Sequence, residues 1–162
     1  MKGEITTTTK ARFSDCDPLG HLNNVKYLEY MMNAREDHVL QCYGFTYEEN
    51  IKNTGCGWVA IQNQISYLKE VRPNAILNIS SKIIKMGDRT SVVEILMMDE
   101  NSEQVHAVLW TTAIYFNMKT RRAAVHSSEL MQYFGEYLVE IPEETFEERT
   151  EALRKENKKW RK

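Results

Sequence analysis

The chain has 162 residues and carries 21 Lys and Arg against 23 Asp and Glu, for a formal net charge of −2. That length suits one domain with its own core and leaves no room for a second catalytic domain, and the near-balanced charge argues against a nucleic-acid binder working by bulk electrostatics. The three cysteines, Cys16, Cys42 and Cys56, fit neither a disulfide framework nor a metal-ligand spacing and read as free thiols. No apolar run is long enough to predict a membrane span, and the opening M-K-G-E-I-T-T-T-T lacks the apolar core of a signal peptide, so a cytoplasmic location is expected.

From the N-terminus, an extended stretch (Ile5 to Phe13) is predicted to run into the turn-forming D-P-L-G. The paired asparagines Asn23 and Asn24 can then cap a helix beginning near Asn24. No Gly or Pro follows until after Cys42, while Val25, Leu28, Met31, Met32, Ala34, Val39 and Cys42 recur at roughly helical spacing. This predicts one helix of about 28 Å at 1.5 Å per residue. Tyr43 to Gly57 reads as a connector with a short helix around Tyr47 to Ile51.

After Gly57 the period changes. Val59, Ile61, Ile65 and Tyr67 alternate with Ala60, Gln62, Gln64 and Ser66, a strand with one apolar face that Asn63 interrupts. Further strands are predicted at Ile76 to Met86, Thr90 to Met98 and Gln104 to Phe116, joined by the turns M-G-D-R and D-E-N-S-E into an antiparallel sheet. In the last of these, Val105, Ala107, Leu109 and Ala113 share one face while Val108, Trp110, Ile114 and Phe116 share the other, so both want burial. One helix cannot cover both, and the remaining face is expected to meet another subunit. A short helix is predicted from Ser128 to Tyr137. Residues 138–162 are expected to form a charged helical tail outside a domain of residues 1–137; it begins acidic and ends basic, which suits a solvated helix. Phe146, Leu153 and Trp160 offer it an alternative role in oligomer contact.

The segment R-F-S-D-C-D-P-L-G-H-L-N-N-V-K-Y-L-E-Y, Arg12 to Tyr30, concentrates the chemistry. A carboxylate and an imidazole face a helix start, whose free N–H groups and positive dipole end favour negative charge on Asp17 or on a substrate oxygen. That is the recipe for an oxyanion site. Asp15 is expected to hold the turn through backbone N–H groups. The thiolate of Cys16, flanked by two carboxylates, is disfavoured by like charge.

The D-C-D-P-x-G run followed by a helix resembles the 4-hydroxybenzoyl-CoA thioesterases, and D-x-x-x-H-x-N-N-V-K-Y is similar to the plant acyl-carrier-protein thioesterases. Both are hotdog-fold enzymes. The resemblance implies an α+β hotdog fold, an antiparallel sheet wrapped around one long central helix, in homodimers or homotetramers with sites at the subunit interface. It implies an acyl-CoA thioesterase in which Asp17 is the nucleophile or the general base, because the acidic residue of both branches maps there; either route needs the ionised form. His21 matches only the plant branch and is expected to assist, although Leu19 stands where that branch has an asparagine, which weakens its water-activation mechanism here. The Asn24 backbone N–H is expected to bind the thioester oxygen, and Tyr27 matches both branches. Lys85 and Arg89, at the hairpin between the middle strands, are expected near CoA phosphates. Asn63 reads equally as a satisfied core residue or a substrate contact. No metal or redox cofactor is expected, CoA entering as part of the substrate, and either acyl-CoA or an acyl carrier protein could deliver the acyl group. The rivals are a hotdog dehydratase or isomerase on acyl thioesters and a non-catalytic acyl-thioester binding protein.

Overall fold

The computed structural model describes residues 3–159. Strand β1 (Glu4–Lys10), rich in β-branched threonine, leads through a 3-10 turn at Phe13–Asp15 to the long helix α1 (Asn24–Tyr43). The extended stretch therefore ends before Phe13, which lies in the turn. Asn23 is the N-cap of α1, its side chain accepting the Val25 N–H, and Gly44 ends the helix in the left-handed region at φ 73°. Helix α2 (Tyr47–Thr54) opens on a capping box in which Thr46 and Glu49 satisfy each other's backbone. The strands β2 (Cys56–Tyr67), β3 (Ile76–Met86), β4 (Thr90–Asp99), β5 (Val105–Asn117) and β6 (Arg122–Ala123) follow, then the helices α3 (Ser128–Gly135) and α4 (Phe146–Lys159).

The six strands form one sheet in the order β1-β3-β4-β5-β2, with β6 beside β5, every pairing antiparallel. On its inner face Leu77, Ile79, Ile95, Met97, Ala107 and Leu109 pack against Tyr27, Met31 and Ala34 of α1. The outer face carries Ile84, Leu96, Val108 and Trp110, and its cover differs from the expectation. Phe146 and Leu153 of α4 lie on it, 8% and 2% exposed, so the chain's own last helix takes the surface expected to meet another subunit. Asn157 fastens the helix by accepting from the Val105 N–H and donating to the Val105 carbonyl, both at 2.8 Å. Trp160, expected to share this stripe, lies outside the described residues.

Two register shifts alter the predicted faces. One falls between Ala60 and Gln62 of β2, so the apolar alternation does not stay on one side and Val59, Ile61 and Tyr67 remain exposed. The other falls between Met97 and Met98, opposite the start of β5, and turns Val105 into the outer cluster instead of the inner one.

Under α1, His38 is fully buried; its Nδ1 meets Ser81 Oγ at 2.7 Å and its Nε2 meets Thr7 Oγ1 at 3.0 Å. Burial, and then the charge of Arg35, push its pKa from 6.5 down to about 4. Between those values the unfolded chain binds the proton and the folded one does not, so stability is complete above about pH 6.5 and falls as the pH drops towards 4, by at most about 3 kcal/mol. Urea midpoints measured from pH 7.5 to 4.5 should show this decline, and His38→Gln should flatten it. The residual slope belongs in part to His106, whose pKa burial also lowers.

Candidate active site

The D-P-L-G loop closes on itself. Asp17 N–H donates to the His21 carbonyl at 2.8 Å, Gly20 N–H donates to the Asp17 carbonyl at 3.0 Å, and Cys16 bridges Leu22. Gly20 sits at φ 81°, a conformation a side chain would strain. Within this turn Asp17 Oδ1 accepts the N–H groups of Leu19 at 3.0 Å and His21 at 3.3 Å. One carboxylate oxygen is thus anchored by the loop, and Oδ2 has no partner among the described residues.

The loop is locked to the helix. Asp15 accepts from Tyr30 OH at 2.5 Å, stands 3.6 Å from Lys26 Nζ, and its carbonyl takes the Asn23 N–H. Asp15 therefore holds structure, through its side chain as well as the turn. With the Asn23 and Val25 amides engaged, the Asn24 N–H is left at the helix start without an acceptor among the described residues. The Cys16 thiol donates to the Arg12 carbonyl, and burial followed by the Asp15 and Asp17 charges raises its pKa, in line with the expected poor nucleophile.

Asp17, His21, Asn24 and Tyr27 line one cleft of about 450 Å³ together with Tyr67 at the end of β2 and Lys69 and Glu70 just beyond it. Tyr27 is buried, and its hydroxyl accepts the Val71 N–H at 3.1 Å while its ring meets Tyr67 edge-on; burial raises its pKa. Tyr67 OH donates to the Asn24 carbonyl at 3.2 Å, tying strand to helix start. His21 Nε2 lies 2.7 Å from Glu70 Oε2. Glu70 escaped the sequence reading, because nothing local in L-K-E-V-R-P signals a partner at His21; the link arises where the Leu22 N–H donates to the Val71 carbonyl.

Three predicted site residues stand elsewhere. Asn63 is exposed on the edge strand β2, opposite Thr111. Lys85 points to the outer face, where its ammonium donates to the Glu144 carbonyl at 2.6 Å and sits 5.4 Å from the centre of the Trp110 ring. Arg89 is exposed in the β3–β4 turn. That turn is at the opposite end of β3 from the loop, roughly 33 Å away by strand rise.

A sheet curled about one helix, with the Asp17 carboxylate and the start of that helix lining one cleft, defines a hotdog protein. The chain belongs to the Thioesterase-like superfamily, whose profile matches residues 11–145, and it is a thioester hydrolase. It is 24% identical over 128 residues to the long-chain acyl-CoA thioesterase FadM of Escherichia coli strain K12, spanning 79% of this chain and 95% of that one. YbaW from Escherichia coli superposes with a TM-score of 0.73 at 22% identity, covering 83% of this chain and 98% of its own. The 12:0-ACP thioesterase from Umbellularia californica does so at 0.77 and 14% identity, over 90% of this chain and 54% of its own.

Proposed function

We propose that the chain hydrolyses acyl-CoA to free acid and CoA in the cleft at the start of α1. The observation that carries this reading is the Asp17 carboxylate held by loop amides in the cleft that Asn24 also lines. The name of FadM supports CoA as carrier, and the plant structure keeps acyl carrier protein as the alternative.

The thioester carbonyl oxygen accepts from the Asn24 N–H, helped by the helix dipole, so charge developing there is stabilised. Asp17 Oδ2 then acts in one of two ways. It takes a proton from water as the water oxygen bonds to the carbonyl carbon, or it bonds to that carbon itself, giving an anhydride that water later opens. Either way the C–S bond breaks and the thiolate takes up a proton, which in this reading His21 passes; its contact with Glu70 supports that role. Neither route draws on a metal or redox cofactor. Thiol release over a panel of acyl-CoA and acyl-carrier-protein substrates tests the proposal, with turnover expected on the CoA series. Reversible hydration of crotonyl-CoA without thiol release, or binding without turnover, would overturn it.

A second copy of the chain completes the proposed site. Strand β2 is a sheet edge of 12 residues with Val59 and Ile61 exposed, and Phe13, Leu19 and Val25 stand 78%, 78% and 70% exposed around the loop. A long open edge with exposed apolar side chains is an invitation to pair. With α4 over the outer face, a dimer is the expected assembly, and the proposed contact of Arg89 with CoA phosphates is made across it. Sedimentation should give a dimer that Val59→Lys with Ile61→Lys weakens; a wild-type monomer at every concentration would refute this. No helix among the described residues is long and apolar enough to cross a membrane, and a cytoplasmic location is part of the proposal.

A further inference from the structure

Between α1 and the inner face of the sheet, further along the helix than the cleft at its start, lies a cavity of about 160 Å³ walled by apolar groups such as Val39, Trp58, Ile83 and Phe134. One charged residue lines it, Arg35, which is 7% exposed. No Asp or Glu lines the cavity, and Arg35 makes no ion pair among the described residues. Its partners are neutral and distant: Nη1 donates to Ser81 Oγ at 3.2 Å and Nη2 to Tyr43 OH at 3.3 Å, with the guanidinium 5.5 Å from the Tyr43 ring centre. Its Nε–H is buried with no acceptor.

An arginine keeps its charge under all ordinary conditions, so this is a buried cation with no counter-ion and an unused donor. The neighbours do not neutralise it. Burial raises the Tyr43 pKa, which keeps the phenol protonated, and His38 at its depressed value is neutral at pH 7. A folded chain seldom retains an uncompensated charge facing an apolar space unless something supplies the opposite charge. The group that matches a guanidinium fork in shape and sign is a carboxylate.

We propose that this cavity takes the far end of the acyl chain and that Arg35 receives a carboxylate there, so that the preferred substrate is an ω-carboxyacyl thioester. The inference rests on the thioester-hydrolase reading. Arg35 stands three turns along α1 from Asn24, roughly 16 Å by helical rise, so the chain between thioester and carboxylate must be long. The apolar walls suit its methylenes, while a short diacid would leave its charge stranded among them.

The test is thiol release from ω-carboxyacyl-CoAs of increasing length against plain acyl-CoAs of matching length, for the wild type and for Arg35→Met and Arg35→Lys. At the best length the wild type should favour the carboxylated chain at least tenfold in kcat/KM, and Arg35→Met should bring that ratio to about one, with Arg35→Lys between. Turnover of plain acyl-CoAs with no carboxylate preference at any length overturns the inference and leaves the hydrolase reading intact. If no acyl-CoA is turned over, that reading fails, and calorimetry with long-chain diacid monoamides, wild type against Arg35→Met, still decides whether Arg35 receives a carboxylate. Arg35-dependent binding of simple fatty acids without the substrate preference would assign the cavity to free acid and refute the substrate proposed. Should Arg35→Met not fold, the wild-type ratio alone decides: tenfold or more upholds the proposal, and a ratio near one overturns it.

Discussion

Replacing Asp17 by Asn should lower kcat by about 10²–10⁴-fold, the range for loss of a positioned acid–base or nucleophilic carboxylate, with a KM close to that of the wild type. Asn keeps an oxygen at the Oδ1 position, so the N–H groups of Leu19 and His21 retain their acceptor and the loop keeps its shape. Only the charge and basicity of the second oxygen are lost. Stability should therefore move within about 0.5 kcal/mol, as for a substitution that spares packing and hydrogen bonds. Initial rates of thiol release together with a thermal melt read both quantities. A variant that turns over within a few-fold of the wild type would remove Asp17 from the chemistry. One that loses activity along with several kcal/mol of stability would show that the carboxylate serves the turn.

The parts of the fold legible in the sequence are those specified locally. Helix α1 starts at Asn24 as read because an N-cap and the start of an apolar-periodic run coincide there, and β3 matches its predicted ends because G-D-R and N-A flank it with turn chemistry. The loop from Asp15 to Asn24 is legible for the same reason: the hydrogen bonds that close it on itself join residues two to eight apart. What escaped depends on distant partners. The shift at Ala60/Gln62 changes which side chains face inward, yet it arises from pairing with β5, some fifty residues on. Glu70 reaches His21 only after β2 has crossed the sheet. The α4 stripe of Phe146, Thr150, Leu153 and Asn157 has helical spacing, but two polar members made it read as solvated. Asn157 is polar because it completes the hydrogen bonds of Val105 at the irregular start of β5, a need invisible from the helix alone.

Arg149→Met is expected to destabilise the protein by about 3–5 kcal/mol, the cost of leaving a buried charge without its partner. Glu94 is fully buried on the outer face, and Arg149 grips it with two bonds of 2.8 Å, Nε to Oε2 and Nη2 to Oε1. Trp110 Nε1–H donates to the same carboxylate at 2.8 Å, and Lys82 stands 3.6 Å away while also meeting Glu4 at 3.3 Å. Without Arg149 the carboxylate keeps one indole donor and one distant ammonium, too little to replace its lost hydration. Glu94→Leu should cost somewhat less, since Lys82 retains Glu4 and Arg149 retains Glu143 at 3.4 Å. The double variant Glu94→Leu with Arg149→Met should recover much of the loss, because no charge is then left buried beside Trp110; the Trp110 N–H and the half-buried Glu143 lose their partners. At roughly 2–4 °C per kcal/mol for a chain of this size, the first variant should melt about 10 °C lower. Activity at 25 °C should persist, since the network lies across the sheet from the Asp17 cleft. A loss under 1 kcal/mol for Arg149→Met, or double-variant effects that simply add, would show that apolar contacts alone hold α4 and that the ion pairs only accompany them.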